Sequence, residues 1–265
     1  MHYFRETIEA TSFSTLGIVL KARIRAASSR LSRVPPLTPD VVLAAPDACF
    51  MPLRHSLSAH YVALNGPQLA EPRSPREAEA ERWLDGEYRR LGDPRPEVFP
   101  AQLQALNRRL TDGAGRWRNG TVRLGGDRAG NQVYFPPAAA VPTQLEKVRA
   151  VLSGAGPPLF RGPVAYAMLL NAHPFRDGNG RTARVVLNHV LRRGGMPTNV
   201  YLPLYEIAHR SLGGHDIALR MVELHEDWEP LFRYFLNALR CCWEIGSHCK
   251  PSPSHRTSLQ PSQGV

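Results

Sequence analysis

Residues 163–172 read PVAYAMLLNA, a helix-length run that is apolar on nearly every face. A helix of that kind exposes no side to water and has to be enclosed by other elements. The rest of the chain supplies candidates of its own type. The run 181–193, RTARVVLNHVLRR, is stopped by Gly194-Gly195 with Pro197 beyond. Leu103, Leu106 and Leu110 share one face of a predicted helix over 100–110. Further helices are expected at 142–152, 203–210, 216–225 and 228–243, so the fold class is mainly α.

Between the apolar helix and its successor lies HPFRDGNGRTAR, residues 173–184. These twelve residues place an imidazole, a carboxylate, a Gly-Asn-Gly turn and two guanidinium groups around one short loop entering a helix. The turn Gly178, Asn179, Gly180 can aim backbone N–H groups at a phosphate, in front of the positive end of the following helix. Arg181 and Arg184 lie three apart, share a face of its first turn and can fork onto phosphate oxygens. Asp177 can contribute the single carboxylate that Mg²⁺ often takes beside phosphate oxygens and water. His173 is placed to act as general base toward an attacking hydroxyl. Phe175 reads as a core anchor and Pro174 as a stiffener of the helix exit.

The twelve residues resemble the Fic motif, HPFx(D/E)GNGRxxR, with all nine specified positions filled. The resemblance implies a Fic-type helical bundle and a protein adenylyltransferase that moves AMP from ATP, with Mg²⁺, to a Tyr, Thr or Ser hydroxyl of a target protein. It also implies roles for single residues: the Asn179 amide on the α-phosphate, and Arg181 and Arg184 on the β/γ end. Many relatives carry a Tyr-Tyr pair before Ala-Leu, lining the adenine pocket. Here the residues are His215-Asp216-Ile217-Ala218-Leu219, which puts an imidazole, His215, where a base would stack. Relatives are often restrained by a helix carrying (S/T)xxxE(G/N), whose glutamate pairs with the second motif arginine, here Arg184. No such string occurs in this chain, so either the enzyme is unrestrained or a separate antitoxin-like protein holds it off.

Upstream, residues 115–137 change period. Thr121-Val122-Arg123-Leu124 and Gln132-Val133-Tyr134-Phe135 are β-prone runs around a Gly-containing turn, and they predict a small β-hairpin near the active site. Its position before Pro136-Pro137 resembles the Fic flap, which implies that Asn131, Gln132, Val133, Tyr134 and Phe135 receive the target's backbone by strand addition.

The first 95 residues are read as an N-terminal extension, 96–245 as the Fic domain and 246–265 as a disordered polar tail. Within this helical and irregular extension, a helix is expected over 1–33, the signal over 37–75 is poor, and a helix is expected over 75–91, opened by Ser74-Pro75 with Glu77 and Glu79 in its first turn. The net charge of +10 comes almost entirely from arginine, since lysine occurs only at 21, 147 and 250. These arginines are scattered, so a nucleic-acid-binding module is the less favoured reading, behind UMP or phosphate transfer as the alternative chemistry. Cys241, Cys242, His248 and Cys249 lack zinc-ligand spacing and read as helix-packing positions and tail. No stretch is long and apolar enough to span a membrane. A cytoplasmic location follows as the default, with export as an effector left open.

Overall fold

The computed structural model describes residues 2–65, 75–91, 99–113, 115–123, 128–130 and 132–248. Among them the helix α7 (Pro158–Ala172) is the centre: only Pro158, Arg161 and Leu170 of its residues escape full burial. It starts five residues before the expected Pro163, which falls inside the helix and deprives the Leu159 carbonyl of its intrahelical donor. That loss, about 3 kcal/mol, is offset by burying Leu159, Phe160 and Val164 at roughly 1.5–3 kcal/mol each.

Around α7 pack α6 (Val141–Ser153), α8 (Asn179–Arg193), α11 (Glu229–His248) and α1 (Ile18–Ser28). The approach of α7 to α8 is close because Gly162 has no side chain: a Cβ there would come within 2.9 Å of Leu187. The helices α4 (Pro75–Leu91) and α5 (Phe99–Leu110) cover α8 from the other side, and α9 (Leu204–Arg210) and α10 (Gly214–His225) complete the set. Cys241 and Cys242 are buried on α11, and burial pushes the Cys241 thiol up to about 12, as expected of packing residues rather than thiolate ligands. No described helix is long and apolar enough to cross a membrane.

The N-terminal region departs from expectation. In place of a helix over 1–33 there is a strand, β1 (His2–Phe4), a 3-10 turn (Phe13–Thr15) and α1 beginning at Ile18. The backbone before α1 is drawn off by tertiary partners: Asn171 on α7 accepts from the Ile8 N–H at 3.2 Å and donates to the Glu6 carbonyl at 3.0 Å. Residues 37–65 hold more order than their punctuation suggests, in α2 (Pro39–Ala44), a 3-10 turn (Asp47–Leu53) and α3 (Ser58–Asn65). Ile24, Leu31 and Phe50 from this region share one continuous core with α5 to α11. Ser74, the expected cap of α4, and the tail from 249 lie outside the described residues.

The turn of the expected hairpin, 124–127, lies outside the described residues. β2 (Gln132–Tyr134) has as its strand partner not the preceding run but β1, in parallel, with His2, Tyr3 and Phe4 opposite Gln132, Val133 and Tyr134. On its other edge the described antiparallel contact is a single bridge, Arg123 to Tyr134, with the Phe135 N–H donating to the Val122 carbonyl at 3.0 Å. Asn131 lies outside the described residues.

Candidate active site

The site begins where α7 stops. Pro174 disfavours a helical residue before it, and His173 takes a left-handed conformation, φ 44°, while its N–H still donates to the Leu169 carbonyl at 3.1 Å. Five residues later Gly178, φ 77°, opens α8. An alanine there would carry both the strain of that φ and a Cβ 2.4 Å from Thr111 Cγ2.

Between these two left-handed residues Phe175 anchors the loop, buried and stacked on Trp117 at 4.8 Å. Asn179 pins it: its Oδ1 accepts from the Phe175 N–H and its Nδ2 donates to the Phe175 carbonyl, both at 2.9 Å. The Oδ1 and one Nδ2 N–H are engaged inside the loop, so Asn179 shapes the anion-facing turn, while its second Nδ2 N–H and its backbone N–H remain as donors.

Asp177 accepts from the Gly178 N–H at 2.6 Å and pairs with Arg181 at 2.8 Å, while Arg181 also donates to the Leu110 carbonyl. The Asp177 side chain is 76% exposed. With one accessible carboxylate, and no cluster of three ligating side chains among the described residues, the donor set fits a cation that takes the rest of its shell from phosphate and water.

Arg184 is held differently. Its Nη2 and Nε donate to the two oxygens of Glu77 at 2.5 and 3.2 Å, and the Tyr201 hydroxyl donates to the same carboxylate at 2.7 Å. Burial acts against the Arg184 charge, and Glu77 more than offsets it, so the guanidinium is bound more firmly in its charged form. The motif names no group of this chain as a partner of Arg184; Glu77 is one. Glu77 stands in the first turn of α4, but the string around it, Ser74-Pro75-Arg76-Glu77-Ala78, is one residue short of the expected spacing. One signal was available: Glu77 is in phase with Ala80 and Leu84, the buried stripe of α4, and a carboxylate on a buried stripe needs a cationic partner.

His173, Gly180 and Arg184 line a cavity of about 290 Å³ together with Tyr205, His209, His215, Asp216 and Leu219. Asp177, Gly178, Asn179 and Arg181 do not line it. The His215 ring is buried, within 3.0 Å of the Tyr166 hydroxyl and edge-on to Tyr166 and Tyr234. Asp216, beside it, accepts from the Tyr61 hydroxyl at 2.7 Å.

Burial lowers the pKa of His173 to about 4, and the charges of Arg5 and Arg118 push the same way. The Leu170 carbonyl pulls against them without reaching hydrogen-bond geometry, and the buried Nδ1 has no partner among the described residues. The ring stacks on Phe135, centroids 3.6 Å apart, and Arg5 lies over the other partner of that stack, 4.4 Å from the Phe135 centroid. Phe135 is the last expected flap residue. The strand before it, Gln132 to Tyr134, already has β1 along one edge, with the Arg5 N–H donating to the Tyr134 carbonyl at 2.8 Å.

Sequence reasoning also passed over Arg118, a buried guanidinium whose described hydrogen bonds all run to backbone carbonyls: His173 at 2.7 Å, Gly120 at 3.0 Å, Ala172 at 3.2 Å and Pro136. Nothing in the surrounding string marks it, because its partners are main-chain atoms.

Comparison with known proteins agrees with this geometry. Residues 98–191 match the Fic/DOC family. Over 47 residues the chain is 49% identical to protein adenylyltransferase fic-1 of Caenorhabditis briggsae, a match covering 18% of this chain and 9% of that protein. Over 82 residues it is 35% identical to protein adenylyltransferase Fic of Drosophila ananassae, covering 28% and 16%. The matches thus span less than a fifth of these relatives. Among solved structures, a Fic family protein from Desulfovibrio desulfuricans G20 superposes with a TM-score of 0.56 at 19% identity, over 89% of this chain and 76% of that one, which establishes the shared fold.

Proposed function

We propose that this chain, a Fic/DOC family member through residues 98–191, is a protein adenylyltransferase that moves AMP from ATP to a hydroxyl side chain of a target protein. The observation that carries the reading is the meeting of a neutral imidazole, His173, with Gly180 and the guanidinium of Arg184 in one cavity. His173 takes the proton of the incoming hydroxyl as its oxygen bonds to the α-phosphorus and the bond to the β-phosphate oxygen breaks, releasing pyrophosphate. The Gly178 to Gly180 backbone at the start of α8 faces the developing negative charge with N–H groups already in place. Arg181 and Arg184 serve the leaving end. Asp177 would hold Mg²⁺, which when bound neutralises phosphate charge. The adenine would enter the cavity lined by Tyr205, His209, His215 and Asp216.

In this reading Glu77 is a restraint built into the chain. It takes the Nε and Nη2 edge of Arg184 and neutralises its charge, so full engagement of that edge with phosphate requires α4 to release it. The target docks along β2 beside Phe135, on the edge that β1 now covers, which makes the N-terminal strand a competitor of the target. The test is incubation of the chain and of its Glu77→Gly variant with α-labelled ATP and a host lysate. Label should enter protein, more with Glu77→Gly and not with His173→Ala. Undiminished transfer by His173→Ala would overturn the assignment of the base.

A further inference from the structure

Resting on that reading of the reaction, we propose that Arg118 is a positioning residue that couples the flap to the catalytic base, holding His173 and the Phe135-Pro136 segment at the separation that transfer requires. Three features of its surroundings carry this.

The first is where its donors go. Nε donates to the His173 carbonyl at 2.7 Å, and Nη2 is shared between the Ala172 carbonyl at 3.2 Å and the Pro136 carbonyl. One planar group therefore ties the end of α7 to the exit of β2, and the backbone N–H of Arg118 adds a 2.9 Å bond to the Pro174 carbonyl. Nη1 reaches the Gly120 carbonyl at 3.0 Å, which anchors the guanidinium's own loop. The rigid fork of arginine can span these acceptors at once; an ammonium cannot.

The second is what the fork opposes. His173 is a non-glycine residue at φ 44°, a conformation that costs about 1–2 kcal/mol and persists only where its surroundings hold it. It is also where α7 ends and its carbonyls lose their intrahelical donors. Arg118 supplies donors to two of them, those of Ala172 and His173.

The third is the charge. Burial lowers the pKa of Arg118, no carboxylate is among its described hydrogen-bond partners, and it lies near enough to His173 to disfavour the imidazolium. A buried cation satisfied by carbonyls alone is an expensive way to brace a loop. Here it also adds to the burial that disfavours the imidazolium, and the segments it clamps carry the two stacked rings, His173 and Phe135.

The experiment compares Arg118→Gln and Arg118→Lys with the parent in a Glu77→Gly background. It follows the rate of label transfer from α-labelled ATP, the ATP concentration at half-maximal rate, thermal unfolding, and the His173 pKa by NMR. Positioning predicts a maximal rate about a hundredfold lower in Arg118→Gln, half-saturating ATP within twofold of the parent, and a His173 pKa raised only slightly, since burial is what chiefly lowers it. Arg118→Lys retains the charge without the fork, so its His173 pKa should stay low while its rate still falls. Parental rates in either folded variant, or loss of rate and ATP binding together, would overturn the proposal. So would failure of both variants to fold, since the arginine would then brace the fold as a whole. If the parent transfers no label, the reading of function fails instead, and the His173 titration still decides whether Arg118 governs the base.

Discussion

Glu77 and Arg184 stand 107 positions apart in the chain and are joined by two hydrogen bonds, with Glu77 only 1% exposed. The arginine that should meet the phosphate is therefore already neutralised by a carboxylate from α4.

Glu77→Gly should raise nucleotide transfer by about tenfold or more, because a charge-assisted bidentate pair is worth more than 1.4 kcal/mol. It should also lower stability by about 1–3 kcal/mol, since Arg184 and the Tyr201 hydroxyl lose their acceptor. Saturating ATP should restore more of that loss in the variant than it adds to the parent, as phosphate replaces the carboxylate. Thermal unfolding with and without ATP checks this; equal shifts in both proteins would count against it.

The pH dependence follows from His173. A base with a pKa near 4 is neutral throughout the physiological range, so the acid limb of kcat/KM should fall near pH 4 instead of near 6.5. The stability term has the same sign. The folded-state pKa lies below the unfolded one, so stability is complete above about pH 6.5 and is lost as pH falls through 4. NMR titration of the imidazole in the nucleotide-free chain measures the value directly.

Asn179→Ala tests whether the amide shapes the loop. Losing both bonds to Phe175 should cost about 2–3 kcal/mol in denaturant unfolding. A variant of parental stability that has lost ATP affinity would return the amide to the α-phosphate.

Tyr3→Pro removes a backbone N–H from the pairing of β1 with β2. Amide exchange at 132–134 should quicken, and transfer to target protein should rise severalfold as the edge opens. Faster exchange without faster transfer would mean that β1 does not compete with the target.

How much was legible in the chain depends on how local each cause is. The all-apolar face of α7, the glycines closing α8 and the twelve-residue motif are local patterns, and they placed the central helix, the base at its end and the phosphate-facing turn next to one another. The boundaries slipped where tertiary packing outweighs a local breaker, as at Pro163, or where a distant side chain takes up backbone groups and draws the chain out of a helix, as Asn171 does to Glu6 and Ile8. The hairpin expectation read strand propensity over Gln132 to Tyr134 and did not foresee β1 along its edge, because pairing belongs to two segments and propensity to one.

Sequence by itself determined the helical class and the chemistry of the motif, since hydrophobic period, turn residues and spacing within one loop are properties of neighbours along the chain. Only the tertiary structure decided the state of that site. Glu77 on Arg184, Arg118 across His173 and Pro136, and β1 along β2 each join residues 50 or more positions apart or spend their bonds on carbonyls that every residue carries. A buried hydrogen bond to the main chain leaves no side-chain signature, and a long-range ion pair leaves one only when both partners' faces are known.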